Sequence, residues 1–180
     1  MGTLVARWRG AIEFGGSANG SPPGMSIAGC AAVTLRFDPV CEGDAETLVG
    51  LARDFHQEDG HPLTEAGEKA LRAIARGEPF ARAWLVREQE AALGYLIITL
   101  GFSVEYGGRD GFIDDLYLVP AARGRGLGRT VIGFATAQAR ELGIGTLHLE
   151  VESGNDAATR LYRHAGFEET GRRLLRLHLR

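Results

Sequence analysis

Residues 112–132 read FIDDLYLVPAARGRGLGRTVI, and this stretch decides the fold. From residue 111 to 119 it is a strongly apolar strand that carries two acids, Asp114 and Asp115. A glycine-rich turn follows, and then a long helix with Leu127, Val131, Phe134 and Ala135 on one face, ending near Gly143. A helix start has unsatisfied N–H groups and a partial positive charge, so it favours phosphate. Glycines let the backbone come close, and flanking arginines add charge-assisted bonds.

Three phosphate patterns compete for this turn. A Walker loop needs G-x-x-x-x-G-K-[ST], but no lysine precedes Thr130. The dinucleotide pattern G-x-G-x-x-G, begun at Gly124 or Gly126, meets Arg129 or Val131 where glycine is required. The pattern R-x-x-G-x-G fits, through Arg123, Gly126 and Gly128. Alone, that pattern is matched equally well by a flexible turn.

Reading toward the C-terminus, residues 146–151 alternate Leu147, Leu149 and Val151 with Thr146, His148 and Glu150, which predicts a strand. Asn155 or Asp156 starts a helix that carries Leu161 and Tyr162 and stops at Gly166. From Phe167 a final strand is expected, with Leu175, Leu177 and Leu179 alternating in a way that suits pairing across a homodimer edge. Toward the N-terminus, a turn at Gly107 and Gly108 and two strands over residues 80–87 and 92–104 predict antiparallel hairpins. Two helices precede them. The first has Ala45, Leu48, Val49, Ala52 and Phe55 on its apolar face after Asp44, and the second has Ala70, Leu71 and Ile74 after Thr64. A first strand is expected over residues 32–37. Residues 15–24, GGSANGSPPG, bury nothing, so residues 1–31 are expected to be a disordered extension, with Met25 a candidate start, and residues 32–180 the domain. The order β-α-α-β-β-β-α-β-α-β implies an α/β fold: a single-domain, mixed, largely antiparallel sheet flanked by helices.

The 180 residues are 44% hydrophobic and 24% charged, with a net charge of −3, which gives no electrostatic reason to expect nucleic acid. Charge is uneven, however. Residues 42–68 hold eight acids against one arginine, and residues 160–180 hold six arginines against two acids. The acidic tract is either a solvated helix face or an attractor of cationic substrates. Cys30 and Cys41 have neither framework nor metal-ligand spacing, and His56 and His61 lie on a loop without a metal signature. No apolar run is long enough to span a membrane, so a cytoplasmic location is the default.

A second motif, N-x-x-A-x-x-L-Y-x-x-x-G-F, runs through Asn155, Ala158, Leu161, Tyr162, Gly166 and Phe167. With the glycine turn before it, in strand–helix–strand–helix context, the chain resembles the GNAT superfamily of N-acetyltransferases. The likeness is strong over residues 112–169, and the element order agrees from about residue 33. It implies acetyl-CoA as co-substrate, its pyrophosphate on Arg123, Gly124, Arg125, Gly126, Leu127 and Gly128, with Arg129 and Thr130 on the first helical turn. It implies that the pantetheine arm pairs like an added strand at Leu118 and Val119, where a backbone N–H polarises the thioester carbonyl. Tyr162 matches the general acid, and Asp114 matches an acid that activates the amine, commonly through water. Asn155 helps hold the cofactor region or simply caps its helix.

Asp114 and Asp115 are adjacent in a strand, so they are expected on opposite faces. Asp115 and Glu105 are candidates for binding a cationic substrate, and either aspartate also suits a hydrogen-bonded structural role. The implied activity is direct acetyl transfer to a primary amine of a small molecule or peptide. The alternatives are a non-catalytic acyl-CoA-binding module, which would need neither Tyr162 nor the acid pair, and an enzyme using a longer acyl-CoA.

Overall fold

The structure is a computed structural model that describes residues 35–179. The expected disorder of residues 1–31, the candidate start at Met25 and the first residues of the expected first strand lie outside the described residues. Five strands form one sheet in sequence order: β1 (Leu35–Pro39), β2 (Ala81–Glu88), β3 (Ala91–Ser103), β4 (Gly108–Leu118) and β5 (Thr146–His148). The first four pair antiparallel. Strand β5 joins β4 in parallel after the crossover helix α3 (Leu127–Glu141).

Helices α1 (Ala45–Glu58) and α2 (Glu65–Ala75) cover one face of the sheet, and α3 and α4 (Asp156–His164) cover the other. The pattern of apolar residues dictates this. In α1, Leu48, Val49, Leu51, Ala52 and Phe55 form one buried stripe, packed on Leu85, Tyr95, Ile97 and Tyr117 of the sheet. The alternate residues Trp84, Val86, Leu96 and Ile98 meet Val131, Ile132, Ala135 and Leu161 on the other face. Thr64 caps α2 by accepting the Gly67 N–H at 3.1 Å.

On β4, Ile113, Leu116 and Leu118 all pack on the α3 face, a spacing of three and then two that strict alternation forbids. The register supplies the reason. Ile97 pairs with Asp115 and Ile98 with Ile113, so Asp114 is the extra residue of a β-bulge. The expectation of strictly opposite faces for Asp114 and Asp115 is therefore corrected: the bulge interrupts the alternation at that point.

Two further expectations change. The strand predicted over residues 146–151 pairs only at Thr146, Leu147 and His148, opposite Asp110, Gly111 and Phe112, so β4 beyond Phe112 has no strand neighbour on that side among the described residues. The final strand after Phe167 does not form: the tail over residues 167–179 is irregular, and Leu174, Leu175, Leu177 and Leu179 are exposed. Alternating leucines need a partner ladder and a surface to bury against, and a three-residue β5 offers little of either.

Candidate active site

The glycine turn is built as an anion cradle. Pro120–Ala122 form a tight 3₁₀ turn after β4 that Arg123 caps, and Gly124 and Gly126 take left-handed backbone angles, φ 72° and 75°. Any other residue at Gly126 is strained. Side-chain room is not the limit, since an added Cβ there meets no atom within 4 Å. The turn's own hydrogen bonds stop at Arg123 N–H to Pro120 O and resume at Arg129 N–H to Gly126 O. Among the described residues the five N–H groups of Gly124, Arg125, Gly126, Leu127 and Gly128 make no such bond and are left for an outside acceptor at a helix N-terminus. Leu127 and Gly128 are buried, so they contribute backbone alone, while Arg129 and Thr130 stand exposed on the first turn of α3. A pyrophosphate fits this donor set.

Residues 113–118 of β4 supply the next part. Val119 N–H donates to Leu93 O at 2.8 Å, so it is committed to β3, and of the two N–H groups the sequence offered for a thioester carbonyl only that of Leu118 is left. Backbone groups alternate in direction along a strand, so Leu118 presents its N–H and C=O to the opposite, open edge. Arg123 Nε confirms the direction by donating to Leu118 O at 2.8 Å from that side. An extended arm adding itself as a strand finds its partners here.

The flanking arginines are not free, contrary to the simple reading of the turn. Arg123 Nη2 reaches Glu58 Oε2 at 2.7 Å, and Arg125 holds Glu88 through two bonds of 2.6 and 3.2 Å. Glu58 also accepts the Tyr117 hydroxyl at 2.7 Å.

The acid pair lies at the bulge. Asp115 is 3% exposed, and its Oδ2 accepts the hydroxyl of the wholly buried Tyr95 at 3.0 Å, while its Oδ1 has no hydrogen-bond partner among the described residues. Burial, then the charge of Asp114 and that of Asp59, push its pKa up to about 7 against the pull of the Tyr95 bond. Asp114 is half-buried, and desolvation raises its pKa as well. Glu150, on the chain just beyond β5, joins this field: burial raises its pKa, the Arg176 charge opposes that, the Asp114 charge adds to it, and its Oε1 is buried without a hydrogen-bond partner among the described residues.

Tyr162 projects from α4 and is 2% exposed, with a hydroxyl that has no hydrogen-bond partner among the described residues. Burial raises its pKa well above that of a free phenol, which keeps it protonated at neutral pH. It lines a cavity of about 420 Å³ with Leu149, Val151, Phe167 and the tail. Asn155 caps α4 by accepting the Ala158 N–H at 3.1 Å, which supports its structural role. Glu105 lies on the exposed β3–β4 turn, held by Arg172 through two 2.7 Å bonds, and takes no part in the Asp114–Asp115 cluster.

Sequence reasoning missed Tyr95, Tyr117 and Glu58. All three carry signals only in retrospect: two tyrosines in apolar strands look like packing, and a glutamate at a helix end looks like surface.

Among known proteins, the family described as "Acetyltransferase (GNAT) family" matches residues 46–167. Streptothricin acetyltransferase of Streptomyces lavendulae is 28% identical over 158 residues, covering 77% of this chain and 84% of that protein. Thialysine N-epsilon-acetyltransferase of Bos taurus is 30% identical over 139 residues, covering 71% and 81%. Among solved structures, an integron cassette protein from the mobile metagenome of Cole Harbour Salt Marsh superimposes with a TM-score of 0.69 at 40% identity, over 80% of this chain and 90% of the other.

Proposed function

The chain belongs to the acetyltransferase (GNAT) family and is an acetyl-CoA-dependent N-acetyltransferase, and from that premise we propose that it acetylates a primary amine on a cationic acceptor by direct transfer. The observation that carries the proposal is the open edge of β4, with the glycine turn's N–H groups at one end and the buried acid pair at the other.

Acetyl-CoA supplies the activated acyl group. The N–H groups of Gly124, Arg125, Gly126, Leu127 and Gly128 hold its pyrophosphate, and Leu118 pairs with the extended arm. Donors aimed from a fixed backbone cost no reorganisation as charge develops on a carbonyl oxygen, and Leu118 N–H is the donor with that freedom.

The acceptor amine arrives protonated, with a pKa of about 10.4 for a lysine-like group. Asp114 takes its proton through a water molecule, because it is the more accessible acid of the pair and its raised pKa makes it a better base than an exposed carboxylate. Asp115, buried behind Tyr95, is a positioning residue that holds its place beside Asp114 through the Tyr95 hydroxyl, while burial keeps the basicity of Asp114 high. Tyr162 donates to the departing thiolate, for which a phenol that stays protonated is suited. The joint field of Asp59, Asp114, Asp115 and Glu150 favours a cation. The names of the streptothricin and thialysine enzymes support an amine acceptor.

A thiol-release assay with acetyl-CoA against a panel of mono-, di- and polyamines, aminoglycosides and lysine peptides tests this reading. Amine-dependent release, greatest for acceptors with more than one positive charge, is expected. Tight CoA binding without release from any member would instead favour a non-catalytic binding module.

A further inference from the structure

Arg123 touches the cofactor edge and the acceptor side at once. Its Nε donates to the Leu118 carbonyl at 2.8 Å, its Nη2 donates to Glu58 Oε2 at 2.7 Å, and its guanidinium lies 5.4 Å from the centre of the Tyr117 ring. The Tyr117 hydroxyl donates to the other Glu58 oxygen at 2.7 Å. The Arg123 side chain is only 18% exposed and that of Glu58 31%, so the pair is partly shielded from water and screened less than a surface bridge.

This arrangement has a consequence for each ligand. The Leu118 carbonyl is engaged by the chain's own cation, so an arm that pairs with this edge must displace it. Glu58 is neutralised, although it sits at the end of α1 next to Asp59, whose charge acts on Asp115. Tyr117 and Asp115 both lie on the face of the sheet that α1 covers. The place between Glu58 and the Tyr117 ring is already a cation site, since a carboxylate oxygen and an aromatic ring receive a guanidinium there. Arg125 offers a contrast. Its carboxylate, Glu88, is on β2, and its guanidinium makes no hydrogen bond to the edge.

We propose that Arg123 and Glu58 form a latch: the cofactor draws Arg123 off Leu118 toward its pyrophosphate, and the bared Glu58 carboxylate, with the Tyr117 ring, binds a cationic group of the acceptor. The inference rests on the reading of the β4 edge as the acetyl-CoA site. It selects acceptors that carry a positive group besides the amine that reacts.

Calorimetric titration separates the two roles of Arg123. Glu58→Gln keeps an acceptor for the Tyr117 hydroxyl but weakens the hold on Arg123, so it binds CoA at least about threefold tighter than wild type. Arg123→Ala binds pantetheine, which has no pyrophosphate, more tightly and CoA more weakly. A Glu58→Gln protein that binds CoA no tighter than wild type overturns the latch, while a wild type that binds no CoA overturns the cofactor reading and the latch with it. The uncovering of Glu58 is read on the unaltered protein by carbodiimide coupling to glycinamide, followed by peptide mass spectrometry. Saturating CoA is expected to raise labelling of Glu58 several-fold and leave that of Glu68, which is paired with Arg53 and Arg72, unchanged. Labelling of Glu58 that stays level or falls with CoA contradicts the proposal.

Discussion

The two edges of β4 differ in how completely they are paired. Toward β3, ten residue pairs run from Gly108 to Leu118 with a single bulge, and Val119 adds a further bond to Leu93. Toward β5, three pairs end at Phe112. The first edge holds the sheet together, and the second leaves backbone groups from the bulge to Leu118 without a strand neighbour among the described residues. An unpaired edge is a liability that folds usually cover or blunt. Here it runs between a glycine turn with five uncommitted N–H groups and two carboxylates of raised pKa, so the unfinished ladder is where this protein can do chemistry.

Two glycines give the largest contrast between these edges. Gly126→Glu places a strained, negatively charged residue in the cradle. It should weaken CoA binding by more than about 100-fold while lowering stability by only about 1–2 kcal/mol, the usual cost of a left-handed residue. Gly94→Ala acts on the paired edge instead, because its Cβ would lie 2.0 Å from the Tyr117 carbonyl oxygen. It should cost about 3 kcal/mol or more in chemical denaturation. If Gly126→Glu binds CoA normally, or Gly94→Ala is as stable as wild type, the division of labour between the edges is wrong.

Tyr162→Phe comes next. Removing an unpartnered hydroxyl leaves the packing of α4 intact, so CoA affinity should stay within about twofold while turnover falls about 10- to 100-fold. An unchanged turnover removes the general-acid role.

Asp115→Asn is the smallest effect and changes sign with pH. The folded pKa of about 7 lies above the reference value of 3.8, so the folded state binds the extra proton and loses stability as pH rises between those values. The shift bounds the gain from neutralising Asp115 at about 4 kcal/mol. The poorly paired amide of asparagine returns about 1–3 kcal/mol of it. A net stabilisation of about 1 kcal/mol is expected at pH 8 and a net loss at pH 4, where the native carboxyl is already neutral. Parallel unfolding curves at the two pH values would show that Asp115 is not held as described.

The fold class, nearly every element and the glycine turn were legible in the sequence, because apolar periodicity and a strand–turn–helix context depend on neighbours in the chain. Partner-dependent features were not. The bulge at Asp114 is a property of the β3–β4 register, and adjacent aspartates in a strand read as facing opposite ways without it. The leucines at 175, 177 and 179 have strand spacing, yet spacing alone creates no partner ladder. Arg123 reads as a phosphate ligand, whereas its hold on Glu58 joins residues 65 positions apart.

The most direct measurement is amide hydrogen exchange, resolved by residue, with and without CoA. Val119, bonded to Leu93, should be protected in both states. The amides of Leu118 and of Gly124, Arg125 and Gly126 should exchange quickly in the free protein and slow at least about tenfold when CoA binds. Binding of CoA with no added protection at Leu118 and the turn would contradict the assignment of the open edge as the cofactor site.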